Sequence, residues 1–436
     1  MPKMNAGERR AALWELGYST IKELETDQGI LASGRSEIFG CVFGRDSLIT
    51  SLELLKAYQK TGDLYFLTLV KKILRNLLPL QGEKVNIESG EEPGKCIHEF
   101  RPTDHERLTK AGIPPWYVYP DNIMRNYDSV DATPLLLIAI YRYYETSQDA
   151  EFLKEALPNV LAALEWIFIY GDSNGDGLID YRFHPDRTFG GLRTQSWMDS
   201  VESVFRNDDD EPAIYPVAPV EVQAYVYLAL RLWREFFLAA DPKFAAKLAR
   251  RAKELRILFN QKFVMKNFLG HDISLAFAID GSGQALTDAR SSMGHVLWAV
   301  RKNKNGVRDG ILDHAYVRGL VERLMKPDLL RPTAGIRTLT STSPQFDPKS
   351  YHNGSIWPHD TALLIEGLLN FGYRREARRV RRALMSAYEH FKTPIELFVF
   401  ANGQYAEYAG SDGQGACRKQ AWSAGALLAE VDFLRK

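Results

Sequence analysis

Apolar residues recur along most of this chain at i, i+3, i+4 and i+7, the spacing of amphipathic helices. The spacing predicts about twelve helices, roughly over 5–29, 44–61, 63–79, 129–146, 148–170, 214–239, 241–264, 291–301, 308–326, 356–371, 373–391 and 418–434. Their connections alternate. Short turns join 61 to 63, 146 to 148, 239 to 241, 301 to 308 and 371 to 373, whereas long segments separate 79 from 129, 170 from 214, 264 from 291, 326 from 356 and 391 from 418. A short turn between helices makes an antiparallel hairpin, and a long loop in a compact domain is usually functional. Every second helix therefore starts after a long loop, and those starts should share one end of a ring. The chain should be a toroidal all-helical barrel with a pocket where the helix starts meet.

The chain has 436 residues, above the usual range for one domain. No Ser/Gly tract, proline-rich stretch or long like-charge block marks a linker, so residues 1–436 are expected to form a single barrel. The acidic cluster Asn207–Glu211 is read as a solvated loop and the basic run Arg374–Arg382 as an exposed helix face. Lysine plus arginine equals aspartate plus glutamate, 55 each, which argues against a nucleic-acid partner, where a basic face is expected. Met1–Arg10 lacks an apolar signal core, and no run approaches a membrane span, so a cytoplasmic protein is expected. Cys41, Cys96 and Cys417 have no metal spacing, and an odd number argues against a complete disulfide framework.

The loops before the helices hold the candidate chemistry. The richest is Tyr351-His352-Asn353-Gly354-Ser355-Ile356-Trp357-Pro358-His359-Asp360. Phe43-Gly44-Arg45-Asp46-Ser47 opens the second helix, where Arg45 and Asp46 present a fixed donor and acceptor. A long loop holds His98 and Glu99, followed by Tyr127 and Asp131; Asp131 or Thr133 should cap the next helix, with Pro134 in its first turn. His98 and Glu99 lack a third ligand at metal spacing. Gln195-Ser196-Trp197-Met198-Asp199-Ser200 places a carboxyl beside an indole, where desolvation raises its pKa toward that of a general acid. The preceding Asp172–Asp180 loop has oxygen ligands at alternating positions. It has Phe183 where a calcium loop needs its bidentate Glu, and is read as a hairpin turn. Glu221 and Gln223 would both reach the pocket if their helix started near Gln223. Glu396 and Glu407 lie on the last long loop, ahead of Gln420-Ala421-Trp422-Ser423. Trp, Tyr, His, Asn, Arg and carboxylates around one pocket suit a sugar.

At these residues the chain resembles amylo-α-1,6-glucosidase and glycogen-debranching-like proteins. They belong to the six-hairpin glycosidases, with glucoamylases and glucosylglycerate hydrolases as relatives. The resemblance spans roughly residues 35 to 430 and also takes in Gly294-His295-Val296-Leu297-Trp298. It implies an (α/α)6 barrel and inverting hydrolysis of an α-glucosidic bond. Asp199 falls on the general acid. Glu396, with Ile395 inserted after Pro394, resembles the base of glucoamylase-like members; Glu407-Tyr408 resembles the segment that supplies the base in glucosylglycerate hydrolases. Both stay open, with Glu396 preferred. Arg45, Asp46, His352, Asn353 and Trp357 fall on substrate-lining positions.

The expectation is an inverting α-glucosidase acting on a small or oligomeric glucoside, with no metal or organic cofactor. Arg45, Asp46, His352 and Asn353 hold sugar hydroxyls and Trp197 or Trp357 stacks on the ring; His98, Glu99, Tyr127, Asp131, Gln195, Glu221 and Gln223 complete the binding set. The rivals are an invertase-, trehalase- or phosphorylase-like reaction on the same barrel, or a silent sugar-binding barrel. Retention of Asp199 and two candidate bases argues against the silent form.

Overall fold

A computed structural model describes residues 5–206, 211–266, 272–302, 306, 308–410 and 413–431, so most of the acidic cluster 207–211 lies outside the described residues. The helices are α1 (Ala6–Leu24), α2 (Gly44–Thr61), α3 (Leu64–Leu77), α4 (Glu106–Thr109), α5 (Ala132–Ser147), α6 (Ala150–Ile169), α7 (Val220–Ala240), α8 (Pro242–Lys262), α9 (Met293–Trp298), α10 (His314–Leu324), α11 (Pro358–Asn370), α12 (Arg374–Phe391) and α13 (Ala421–Glu430). Apart from the single turn α4, they alternate between an inner and an outer layer. The inner helices α2, α5, α7, α9, α11 and α13 pack side by side in chain order, and α13 returns against α2 to close the ring. This is an (α/α)6 barrel.

Burial follows the layers. Every residue of α13 is buried, as is every residue of α2 from Gly44 to Leu55. A helix enclosed on all sides must be apolar or internally paired all round. The outer helices instead bury one stripe, such as Ala377, Val380, Ala383, Leu384 and Ala387 on α12. Arg374, Arg375, Arg378, Arg379 and Arg382 form its exposed face, as the sequence suggests. The sixth hairpin is made from opposite ends of the chain: α13 is its inner helix and α1 its outer one. The two approach closely because position 17 is glycine. A Cβ there would lie 3.0 Å from Leu428 Cγ and 3.2 Å from the Ala424 carbonyl oxygen.

The turns at the far end are tight and capped. Gly62 and Gln148 adopt left-handed conformations after α2 and α5, and Asp63, Asp149 and Asp241 cap α3, α6 and α8. The long loops at the other end carry short antiparallel strands. Val42–Phe43, Glu99–Arg101 and Met124–Asn126 form one three-stranded sheet, and Phe398–Ala401 pairs with Gln404–Glu407 in a hairpin. No described helix is long and apolar enough to cross a membrane. Cys41, Cys96 and Cys417 are buried thiols.

Candidate active site

The inner helices start without side-chain caps: residues Phe43, Asp131, Pro219, Ser292, Trp357 and Gln420 precede α2, α5, α7, α9, α11 and α13, and none caps through its side chain. Uncapped helix starts carry partial positive charge and spare N–H donors. Acids stand in the first turns of three of them, Asp46, Glu221 and Asp360. The starts of α2, α11 and α13 contribute Phe43, Arg45, Asp46, Trp357, Gln420 and Trp422 to the wall of a cavity of about 370 Å³.

Arg45 is the hub of its floor. Its guanidinium grips Asp131 through Nε (2.7 Å) and Nη2 (3.1 Å), reaches Asp199 Oδ2 through Nη1 (2.9 Å) and donates to the Ser196 carbonyl (2.9 Å). Asp46 Oδ1 accepts from Gln420 Nε2 at 2.8 Å. Elsewhere in the cavity wall Glu396 is held as an acceptor on both oxygens: Tyr351 O–H donates to Oε1, and the Cys417 N–H donates to Oε2 at 2.8 Å. Trp197, Trp357 and Trp422 stand edge to face in series, with centroids 5.8 and 5.9 Å apart. Several buried polar atoms around the cavity lack a protein partner: His98 Nδ1, Trp197 Nε1, His352 Nε2, Gln420 Oε1 and Trp422 Nε1. A buried polar atom without a partner is costly, and sugar hydroxyls both donate and accept.

Burial dominates the electrostatics. Asp199 keeps 24% of its side chain exposed, and it lines the cavity. Desolvation pushes its pKa up to about 6 against the pull of Arg45, with Asp131 adding a further push. Desolvation pushes Glu396 up to about 7, opposed by its Tyr351 and Cys417 donors and reinforced by Asp46. Asp46 itself rises to about 7, through desolvation and the Asp199 charge, while Arg45 opposes. His98 and His352 are held well below the usual histidine range by desolvation first, then by Arg45 and, for His352, Arg290. Both are neutral hydrogen-bonding groups near pH 7.

The cavity wall includes Asp199, Glu396, Arg45, Asp46, His98, Glu99, Trp197, His352 and Trp357. The remaining candidates stand apart from it. Glu407 ends the outer strand of the Phe398–Glu407 hairpin, is 53% exposed in its side chain and pairs with Arg418. Asp131 does not cap α5 with its carboxylate, which lies beneath Arg45 and accepts from Ser129 Oγ at 2.6 Å. Thr133 Oγ1 accepts from the Cys96 N–H at 2.9 Å. The helix of Glu221 and Gln223 starts at Val220, not near Gln223, so the pair does not reach the cavity together. Gln223 instead exchanges hydrogen bonds with the Ile179 backbone, at 2.9 and 2.6 Å. Glu221 borders a separate void of about 20 Å³ beneath the floor, and burial pushes its pKa up to about 8. Tyr127 donates to the Leu80 carbonyl (3.1 Å), Gln195 to the Leu192 carbonyl (3.1 Å), and Asn353 to the Glu202 carbonyl (2.8 Å). In the Asp172–Asp180 loop the Asp172 oxygens accept from the N–H groups of Gly175, Asp176 and Gly177. Among the described residues no three His, Cys, Asp or Glu side chains gather as metal ligands.

Tyr351, Gln420 and Trp422 belong to the wall as well. All three stand in the motifs that drew attention to these loops, but nothing in those motifs assigns Tyr351 to a carboxylate. The Cys417 donor is a backbone N–H and leaves no mark on residue type.

The family model for amylo-alpha-1,6-glucosidase matches residues 103–429. No curated protein matches the chain by sequence. Among solved structures, the chain is similar to the GH63 mannosylglycerate hydrolase from Thermus thermophilus in complex with Tris and D-glycerate. The TM-score is 0.66 at 14% identity, over 96% of this chain and 99% of that one. The same enzyme in complex with glucose gives 0.62 at 15%, over the same 96% and 99%. A rhamnosidase from Klebsiella oxytoca with rhamnose bound gives 0.57 at 12%, over 98% of this chain and 64% of that one. These likenesses confirm the barrel, and the family match places its chemistry: the chain belongs to the amylo-alpha-1,6-glucosidase family and is a glycoside hydrolase.

Proposed function

We propose that the chain is an inverting α-glucosidase acting on a small or oligomeric glucoside, with Asp199 as general acid and Glu396 as general base. The observation that carries this is the pair of carboxyls set on different loops around one sugar-sized cavity, each held by its own donors. Asp199 protonates the leaving oxygen, and Arg45 stabilises the carboxylate it leaves behind. Glu396, oriented as an acceptor by Tyr351 and the Cys417 N–H, takes a proton from water on the opposite face of the sugar. Inversion needs a carboxyl separation of roughly 6.5–9.5 Å, to admit that water. Asp46, Gln420 and the unpartnered His98 and His352 nitrogens bind hydroxyls, and the tryptophans offer ring faces. Glu407 has no role in this scheme.

A second reading exchanges the two roles. It is favoured by the higher value at Glu396, about 7 against about 6 for Asp199, since an acid must keep its proton. The first is preferred because both donors on Glu396 favour its charged form, as a base requires.

The test incubates the protein with a panel of α-glucosides that includes one with an acidic aglycone, and follows the released sugar by NMR. Release of β-glucose first supports inversion at an α-linkage. Release of the α-anomer first refutes inversion, and no turnover across the panel refutes the substrate class.

A further inference from the structure

We infer that Arg290, which lies outside the catalytic cavity, is a positioning residue that holds the acid-bearing loop against the loop supporting the base. The inference rests on the assignment of Asp199 and Glu396 above. Arg290 is 1% exposed and stands just ahead of α9. Its hydrogen bonds go to neutral acceptors on two loops. Nη1 donates to Met198 Sδ (3.4 Å) and to the His352 carbonyl (3.0 Å); Nη2 donates to the Ser203 carbonyl (2.5 Å) and to Asn353 Oδ1 (2.9 Å). Met198 immediately precedes Asp199, and His352 immediately follows Tyr351, the residue that donates to Glu396.

Two further rungs join the same loops. His352 Nδ1 contacts Ser200 Oγ at 2.9 Å and accepts from the Ser200 N–H at 3.3 Å, and Asn353 Nδ2 donates to the Glu202 carbonyl at 2.8 Å. Asn353, expected to bind substrate, thus works inside this lacing. The guanidinium also lies over the rings of Phe277 (4.7 Å) and Phe205 (5.4 Å). Sequestering a cation this deeply against carbonyls, a thioether and rings is costly. Desolvation draws its pKa down to about 10. A planar fork with fixed donor directions reaches acceptors on both loops at once; an ammonium does not. The lacing therefore sets where Asp199 stands relative to Tyr351 and Glu396. Hydroxyl binding by Asp46 and Gln420 and the ring face of Trp422, at the starts of α2 and α13, do not depend on it.

The test compares Arg290→Lys with wild type and Asp199→Asn on two probes, an alkyl α-glucoside and an aryl α-glucoside with a good leaving group, alongside thermal melting. Misplacing an acid by an ångström costs on the order of 10²-fold in kcat on the alkyl glucoside. The aryl glucoside, which needs little protonation, should lose less than about tenfold, and KM should stay within about threefold on both. If Arg290→Lys does not fold, Asn353→Ala opens one rung and is expected to show the same leaving-group pattern at smaller amplitude. An inactive Asp199→Asn beside an Arg290→Lys protein with unchanged kcat, or with equal losses on both probes, overturns the inference alone. Full activity of Asp199→Asn on the alkyl glucoside overturns the acid assignment and the inference with it.

Discussion

Replacing Tyr351 by Phe deletes one hydroxyl and keeps the ring, which packs edge to face on His352, Trp357 and Tyr408 at 4.7, 5.0 and 5.3 Å. What is lost is the donor to Glu396 Oε1; the Cys417 N–H remains at 2.8 Å. Tyr351 holds its proton firmly, since desolvation and the Glu396 charge push its pKa well up, so it is a donor throughout the working range. A hydrogen bond to a charged group contributes about 1.5–3 kcal/mol, which is about 1–2 pKa units. Glu396 therefore rises from about 7 by that amount. The sign follows from charge: removing a donor disfavours the carboxylate, so Glu396 keeps its proton to higher pH. With Asp199 near 6 and Glu396 near 7, the productive arrangement, acid protonated and base charged, makes up about a tenth of the singly protonated enzyme. In Tyr351→Phe that share falls to about a hundredth or a thousandth. The maximum of kcat/KM should thus drop about 10–100-fold, while the alkaline limb moves to higher pH by the same shift. A pH series of kcat/KM on one glucoside measures both. If the limb rises but the maximum stays at the wild-type level, Glu396 is the acid and the assignment is reversed. If neither changes, Tyr351 does not control Glu396.

Asp199→Asn should lower kcat by about 10²–10⁴-fold on an alkyl glucoside and less on an aryl glucoside with a good leaving group, which steady-state kinetics will show. Glu396→Gln should lose most hydrolysis and regain turnover with azide, giving the β-glucosyl azide from an activated α-glucoside; Glu407→Gln, altering an exposed pair with Arg418, should keep near-normal kcat. Asp46→Asn removes a charge that raises Glu396, so the alkaline limb should move to lower pH while KM rises. Gly44→Ala sets a Cβ 2.0 Å from the Ile97 carbonyl oxygen, against a backbone that receives the Gly44 N–H at His98 O. We expect a loss of about 1–3 kcal/mol, read as a lower Tm.

Helix number, order and alternation were legible because enclosed and one-sided helices each leave a long periodic trace. Short elements leave none. The predicted first helix runs to residue 29, but α1 ends at Leu24, because Glu25–Thr26 and Gly29–Ile30 turn back as a hairpin. The helix expected from 308 starts at His314, since Arg308–Asp309 pairs with Arg301–Lys302. Two-residue strands are too short to show an alternating pattern. The same limit governs Glu407: only the hairpin that ends at this residue separates it from Glu396, and nothing in residue type announces that hairpin. Arg290 was silent for another reason. Two of its four partners are backbone carbonyls on loops far apart in sequence, and backbone carbonyls carry no residue signature.

The sixth hairpin gives the barrel a problem of timing. Of the described helices, its outer member α1 leaves the ribosome before all the others and its inner member α13 after them. Until α13 emerges, the stripe Leu13, Gly17, Thr20, Ile21 and Leu24 has no inner helix to cover, and α2 lacks its α13 neighbour. Five hairpins can assemble from near neighbours, but the final contact joins residues about as far apart in sequence as this chain allows. Closing so long a loop is entropically costly and slow. The open ring would expose apolar surface on both flanks of the gap, a state prone to pairing with another chain. Refolding should accordingly end in a late step that depends on α13, and the nascent barrel is most in need of protection just before α13 appears.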